Sequence, residues 1–190
     1  MHAYSNLNEH QINESRSDQD LRSIFNTCFA NEFNTVLEGN ASEPLYTPAI
    51  STHGVHTIFY RHDYFSSALH EIAHWCIAGK QRRQQIDYGY WYEPDTRTPD
   101  SQHLFVSVEA KPQALEWIFT KACRKKFVIS LDNPDADLNE FAYFKGQVVA
   151  QAKAFQQQGL PKRAQRFYLA LQKAFAGQML SEMIFTEAAL

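Results

Sequence analysis

The residues best equipped to do chemistry in this 190-residue chain are His70-Glu71-Ile72-Ala73-His74. Two histidines four positions apart fall on one face of an α-helix, so both imidazoles can reach a single divalent metal. Glu71 directly follows the first histidine and is therefore out of line with the pair. It stands beside the metal as a base or proton handler, not as the third ligand. Two histidines at this spacing can also be core side chains bonded to carbonyls, but the glutamate between them on a buried helix favours the metal reading.

A helix must carry this motif and a second element must complete it. Ala68, Leu69, Ile72, Ala73, Cys76 and Ile77 give the first helix its inward face, Asp63 is placed to cap it, and Gly79 with Lys80 ends it. A further helix is expected around Ser107 to Phe119, with Pro112 either opening it or kinking it. Glu109 then lies near a helix start or bend. Glu116, seven residues on, shares its face, and spacing leaves both open as the third ligand. Two histidines and a carboxylate leave coordination positions free, which suits zinc-activated hydrolysis or oxygen chemistry at iron equally well. Ile77 and Lys80 replace the glycine and third histidine of the metzincin pattern. No histidine has an acid two residues on, which argues against the usual oxygenase jelly roll.

Around these helices the pattern is α+β and predominantly helical, with the motif helix packed against a small sheet and other helices. Residues 1–17 are polar and read as a flexible N-terminal tail, with residues 18–190 as a single metal-dependent catalytic domain. A helix capped by Asp18 should run to about Asn31. Glu38 to His53 should be a loop, and Val55 to Tyr60 a strand feeding the motif helix. His53, His56 and His62 are left out of the ligand set. A short strand over Phe127 to Ser130 should precede two scaffold helices, from Asn139 to Gly159 and from Pro161 to Gly177.

The stretch Ile86 to Asp95 gathers Asp87, Tyr90, Trp91, Tyr92, Glu93 and Asp95, rings and carboxylates that suit a slot for a long cationic side chain. A tyrosine-rich strand on the core is the alternative. Clusters at Lys80 to Arg83, Lys121 to Lys126 and Lys162 to Arg166 are solvated helix ends or a docking face for an acidic protein. A net charge of −3 and a pI near 6.2 give no global field for nucleic acid. Three scattered cysteines read as reduced thiols, and no segment has the pattern of a leader or membrane span, so a soluble cytoplasmic protein is expected.

Three blocks together, His70 to Lys80, Asp87 to Asp95 and Val108 to Trp117, resemble the bacterial elongation factor P hydroxylase family. The likeness runs from Ile24-Phe25-Asn26 to Ala164-Gln165-Arg166-Phe167. The resemblance implies a zincin-like fold and a metal site of His70, His74 and Glu109. It also implies hydroxylation of the lysylated lysine of elongation factor P, the last step of that modification. Oxidising an unactivated C–H bond needs a redox metal, so Fe(II) with molecular oxygen is favoured, although Zn(II) could occupy the isolated protein. On this reading Glu71 manages protons, and Asp87, Tyr90, Trp91, Tyr92, Glu93 and Asp95 receive the substrate side chain. The competing readings are a small zinc peptidase, with Glu71 activating water, and a non-catalytic adaptor.

Overall fold

The computed structural model describes residues 17–50, 53–87, 99–131 and 137–190, with 99–104 as backbone only. Among the described residues, five α-helices and three strands follow in the order α1 (Asp18–Phe33), β1 (Thr35–Ala41), β2 (Leu45–Thr47), β3 (His56–Arg61), α2 (Phe65–Ile77), α3 (Pro99–Ala122), α4 (Leu138–Gln158) and α5 (Lys162–Phe175). This is the helix-rich α+β pattern expected, while the tail assigned to residues 1–17 lies, apart from Ser17, outside the described residues.

Helix α1 is capped by Ser17, not Asp18. The Ser17 hydroxyl accepts from the Asp20 N–H while the Asp20 carboxylate takes the Ser17 N–H, a reciprocal box that needs an acid three residues after the cap. Asp18 is thereby the first helical residue, and its carboxylate accepts from the Tyr60 hydroxyl at 2.5 Å, tying α1 to β3.

The expected loop over Glu38 to His53 instead contains most of β1 and all of β2. Gly39, Pro44 and Pro48 read locally as loop residues, but pairing with β3 decides the outcome: β1 runs parallel to it and β2 antiparallel, in the order β1-β3-β2. The β1 register slips between Glu38 and Ala41. Gly39 sits in that slip because a Cβ there would come within 2.6 Å of the Tyr60 hydroxyl oxygen.

Central strand β3 passes through a tight turn, with His62 at φ 50, into α2. The turn shifts the helix start beyond Asp63: Tyr64 is the N-cap and makes no side-chain capping bond. At the other end Ala78 leaves the helix in an extended conformation, one residue before the expected Gly79. Leu69, Ile72 and Ala73 are fully buried. Trp75 joins Phe25 and Phe29 of α1 at centroid distances of 5.2 and 4.8 Å, and Phe167 of α5 closes the cluster. Each ring so buried contributes about 1.5–3 kcal/mol.

Helix α3 packs against α2, α4 and α5, and it is longer than the sequence suggested. Pro112 lies in its interior and does not open it. The expected strand at Phe127 to Ser130 is absent. Ser130 exchanges two hydrogen bonds with the Gln113 side-chain amide, which offers its backbone the donor and acceptor a neighbouring strand would have supplied. The chain then enters α4 through an Asp137–Glu140 capping box and α5 through Pro161. Gly177 follows α5 because a Cβ at that position would lie 1.8 Å from the Ala122 carbonyl oxygen.

Candidate metal centre

The buried polar side chains of α3 explain how a second helix meets the motif. Glu109, Gln113, Glu116 and Thr120 recur at helical spacing and form one polar stripe along an otherwise apolar surface of Ala110, Ala114, Leu115, Trp117, Ile118 and Phe119. Two of them point their carboxylates at the histidines of α2.

His70, His74 and Glu109 converge, each offering one ligand atom within 4.8 Å of the others. The two Nε2 atoms are 3.0 Å apart, and Glu109 Oε2 lies 3.5 Å from that of His70 and 3.3 Å from that of His74. A circle through three atoms so spaced has a radius of about 1.9 Å, just under the about 2.0–2.1 Å of a metal–nitrogen bond, so one ion fits slightly off their plane. Two nitrogens and a carboxylate oxygen suit zinc or divalent iron alike.

Glu116 has a different place. Its Oε2 is 2.9 Å from His70 Nδ1, the ring nitrogen facing away from the three-atom group. A carboxylate there fixes the tautomer that leaves Nε2 free to bind an ion and makes that nitrogen a stronger donor. Thr120 in turn bonds the Glu116 carbonyl at 2.8 Å. The sequence placed Glu109 and Glu116 on one face as rivals for a single role; the structure brings both to the site, one in front of His70 and one behind. The signal that could have separated them was the complete stripe, since Gln113 joins the two acids and Thr120 extends it past Glu116 into the packed end of the helix.

Electrostatics follow from this crowding of acids around two rings. Burial alone would make His70 harder to protonate, but the hydrogen bond and charge of Glu116, with Glu109 and Glu71 behind them, push its pKa up to about 10. Burial works against ionised Glu109 as well, yet the charge and hydrogen bond of His74 and the charge of His70 prevail and hold it below the ordinary carboxylate value. Burial raises Glu71, with Glu109 and Asp87 adding to the effect and the histidines opposing it.

A cavity of about 480 Å³ opens beside the group, walled in part by Glu71, His74, Tyr46, Asp87, Val108 and Pro112. Asp87 is carried there by a backbone bridge to Tyr46 of β2, and its carboxylate is 2.6 Å from Arg82. Glu71 and Asp87 thus share one cavity. Tyr90, Trp91, Tyr92, Glu93 and Asp95 lie outside the described residues. Of the upstream histidines, His56 accepts from the Ala49 N–H and contacts the Tyr46 hydroxyl, while His62 packs on Tyr64.

Three arginines of the basic clusters, Arg83, Arg163 and Arg166, are engaged in contacts within the fold. One Arg163 nitrogen, Nη2, reaches the carbonyls of Trp75, Cys76 and Ala78 at 3.0, 3.2 and 2.5 Å, closing the end of α2 one turn beyond His74. Arg83 lies over Phe33 and Trp75, and Arg166 pairs with Glu32. The three cysteines are free thiols and buried. Among the described residues no helix is long and apolar enough to cross a membrane.

A helix-borne histidine pair met by a carboxylate from a second helix defines a candidate site of the two-histidine, one-carboxylate class. Comparison with known proteins narrows this: the chain belongs to the elongation factor P hydroxylase family, whose model matches residues 24–185. It is 45% identical over 153 residues to the elongation factor P lysine hydroxylase of Haemophilus influenzae, a match covering 80% of this chain and 86% of that one. The resemblance read from the three sequence blocks is borne out, and the hydroxylase reading is favoured over the peptidase.

Proposed function

We propose that this protein hydroxylates a lysine side chain of elongation factor P, acting on the lysylated form as the last step of its modification. Family membership supports the reaction, and the observation that carries the site is the convergence of His70, His74 and Glu109 inside the family-matched region. These three residues hold a divalent metal in a zincin-like arrangement, within one catalytic domain spanning residues 18–190. Iron suits the reaction because, when bound, it supplies the redox chemistry with molecular oxygen that a monooxygenase needs and that zinc lacks.

The remaining work falls to the chain's own groups. Glu116 holds the His70 ring in register through Nδ1. Glu71, whose carboxyl is raised by burial, takes up and returns protons in the cavity. The cavity orients the long side chain against the site, with Asp87 attracting its positive charge; the residue types of Tyr90, Trp91, Tyr92, Glu93 and Asp95 suit them to receive the same side chain. The enzyme works in the cytoplasm on a protein partner, without direct engagement of nucleic acid or membrane.

The test is the intact mass of lysylated elongation factor P after incubation with the protein, ferrous iron and air, beside a His70→Ala control. Gain of one oxygen atom with the parent alone is expected. An unchanged mass with correctly folded, iron-loaded parent protein would refute the proposal.

A further inference from the structure

Pro112 stands inside the 24-residue helix α3, between Glu109 and Glu116. Helix formation alone disfavours it there: proline has no N–H for the carbonyl four residues back, and its ring presses against that carbonyl. The carbonyl is that of Val108. Both residues, Val108 and Pro112, lie in the wall of the cavity that also holds Glu71, His74 and Asp87. Pro112 is buried and Val108 half-buried. A carbonyl deprived of its helical donor beside a cavity is open to another donor, which the cavity's occupant can provide.

The surroundings indicate the kind of donor. Glu71 and Asp87 contribute carboxylates to this wall. Arg82, Arg83 and Lys111 line it too, each engaged by a neighbour: Arg82 pairs with Asp87 within the wall, Arg83 lies over the rings of Phe33 and Trp75, and the Lys111 ammonium lies over Phe155 at 5.8 Å. We infer that the Val108 carbonyl, which Pro112 leaves without its helical donor, is a binding group of the substrate cavity and accepts a hydrogen bond from an ammonium of the lysyl extension. The inference rests on the proposed function for the identity of the ligand.

The decisive variant is Pro112→Ala, which returns an N–H to the helix. Its affinity and that of the parent are measured, without oxygen, for lysylated elongation factor P and for a form carrying hexanoyl in place of lysyl, the same carbon skeleton without its two amines. Thermal melting accompanies both. The variant should melt higher, bind the lysylated protein about ten-fold more weakly, and bind the hexanoyl form as the parent does. Unchanged affinity for the lysylated form, equal weakening for both forms, or a lower melting temperature overturns the inference. Failure of the parent to add oxygen would count against the proposed reaction and leaves this binding comparison to be judged on its own.

Discussion

Replacing Glu116 separates a supporting carboxylate from a ligand. Its Oε2 lies 2.9 Å from His70 Nδ1, whereas Glu109 faces the Nε2 side of the same ring. Glu116→Gln keeps an acceptor oxygen and removes the charge. A hydrogen bond to a charged group contributes about 1.5–3 kcal/mol and a neutral one about 0.5–1.5, so the substitution should cost about 1–1.5 kcal/mol, close to ten-fold in metal affinity. Glu116→Ala also strips the ring of its orienting partner and should lose up to about a hundred-fold. Glu109→Gln removes a donor of the three-atom group and should abolish stoichiometric binding. Competition with a chromophoric chelator for zinc, and anaerobically for ferrous iron, measures all three, with circular dichroism checking the fold. If Glu116→Gln abolished binding as completely as Glu109→Gln, Glu116 would be a ligand. If Glu116→Ala bound as tightly as the parent, the orienting argument would fail.

Three further outcomes follow from other contacts. Arg163→Met keeps an apolar stem near Trp75 but leaves the α2 carbonyls without their donor, so urea unfolding should show a loss of about 1–3 kcal/mol; an unchanged midpoint would show that water replaces the arginine at no cost. Asp87→Asn should raise KM for the lysylated substrate about five-fold at unchanged kcat, a modest effect because Arg82 already answers that carboxylate; equal KM values would remove Asp87 from substrate binding. Burial, helped by the Arg83 charge, holds the His56 pKa below its usual 6.5. As pH falls below about 6.5 the unfolded chain therefore binds a proton first, and the stability that depends on neutral His56 is lost toward the lower folded pKa. Denaturant midpoints of His56→Gln should decline less steeply between about pH 7 and 5 than those of the parent, and parallel curves would exclude this contribution.

What could be read from the sequence was whatever depends on local periodicity. His70 and His74 on one face, the apolar side of α2, and the helices ending at Gln158 and Phe175 all express a repeat of 3.6 residues, which neighbouring residues alone determine. Strands β1 and β2 escaped because their evidence lies in β3: Gly39 marks a slip in register only once Tyr60 is opposite it. The segment Phe127 to Ser130 had strand-like residues, yet the Gln113 amide took the place of a neighbouring strand. Caps misread by a residue, Asp18 for Ser17 and Asp63 for Tyr64, reflect choices among adjacent polar groups that only the turn geometry resolves. Glu109 and Glu116 were both visible as acids on one face, but which side of His70 each would meet depends on how α3 crosses α2.

The bonds from Arg163 to the end of α2 span 85 to 88 positions of the chain. A ribosome releases the histidine pair well before it has made the residue that closes their helix, with Glu109 and Glu116 emerging in between. Until α5 arrives, the last carbonyls of α2 must turn to water, and the turn carrying His74 lacks its clamp. The clamp on that turn is therefore completed only after Arg163 has been made. A chain cut short before Lys162 would contain His70, His74, Glu109 and Glu116 and still lack the anchoring of the helix that presents the two histidines.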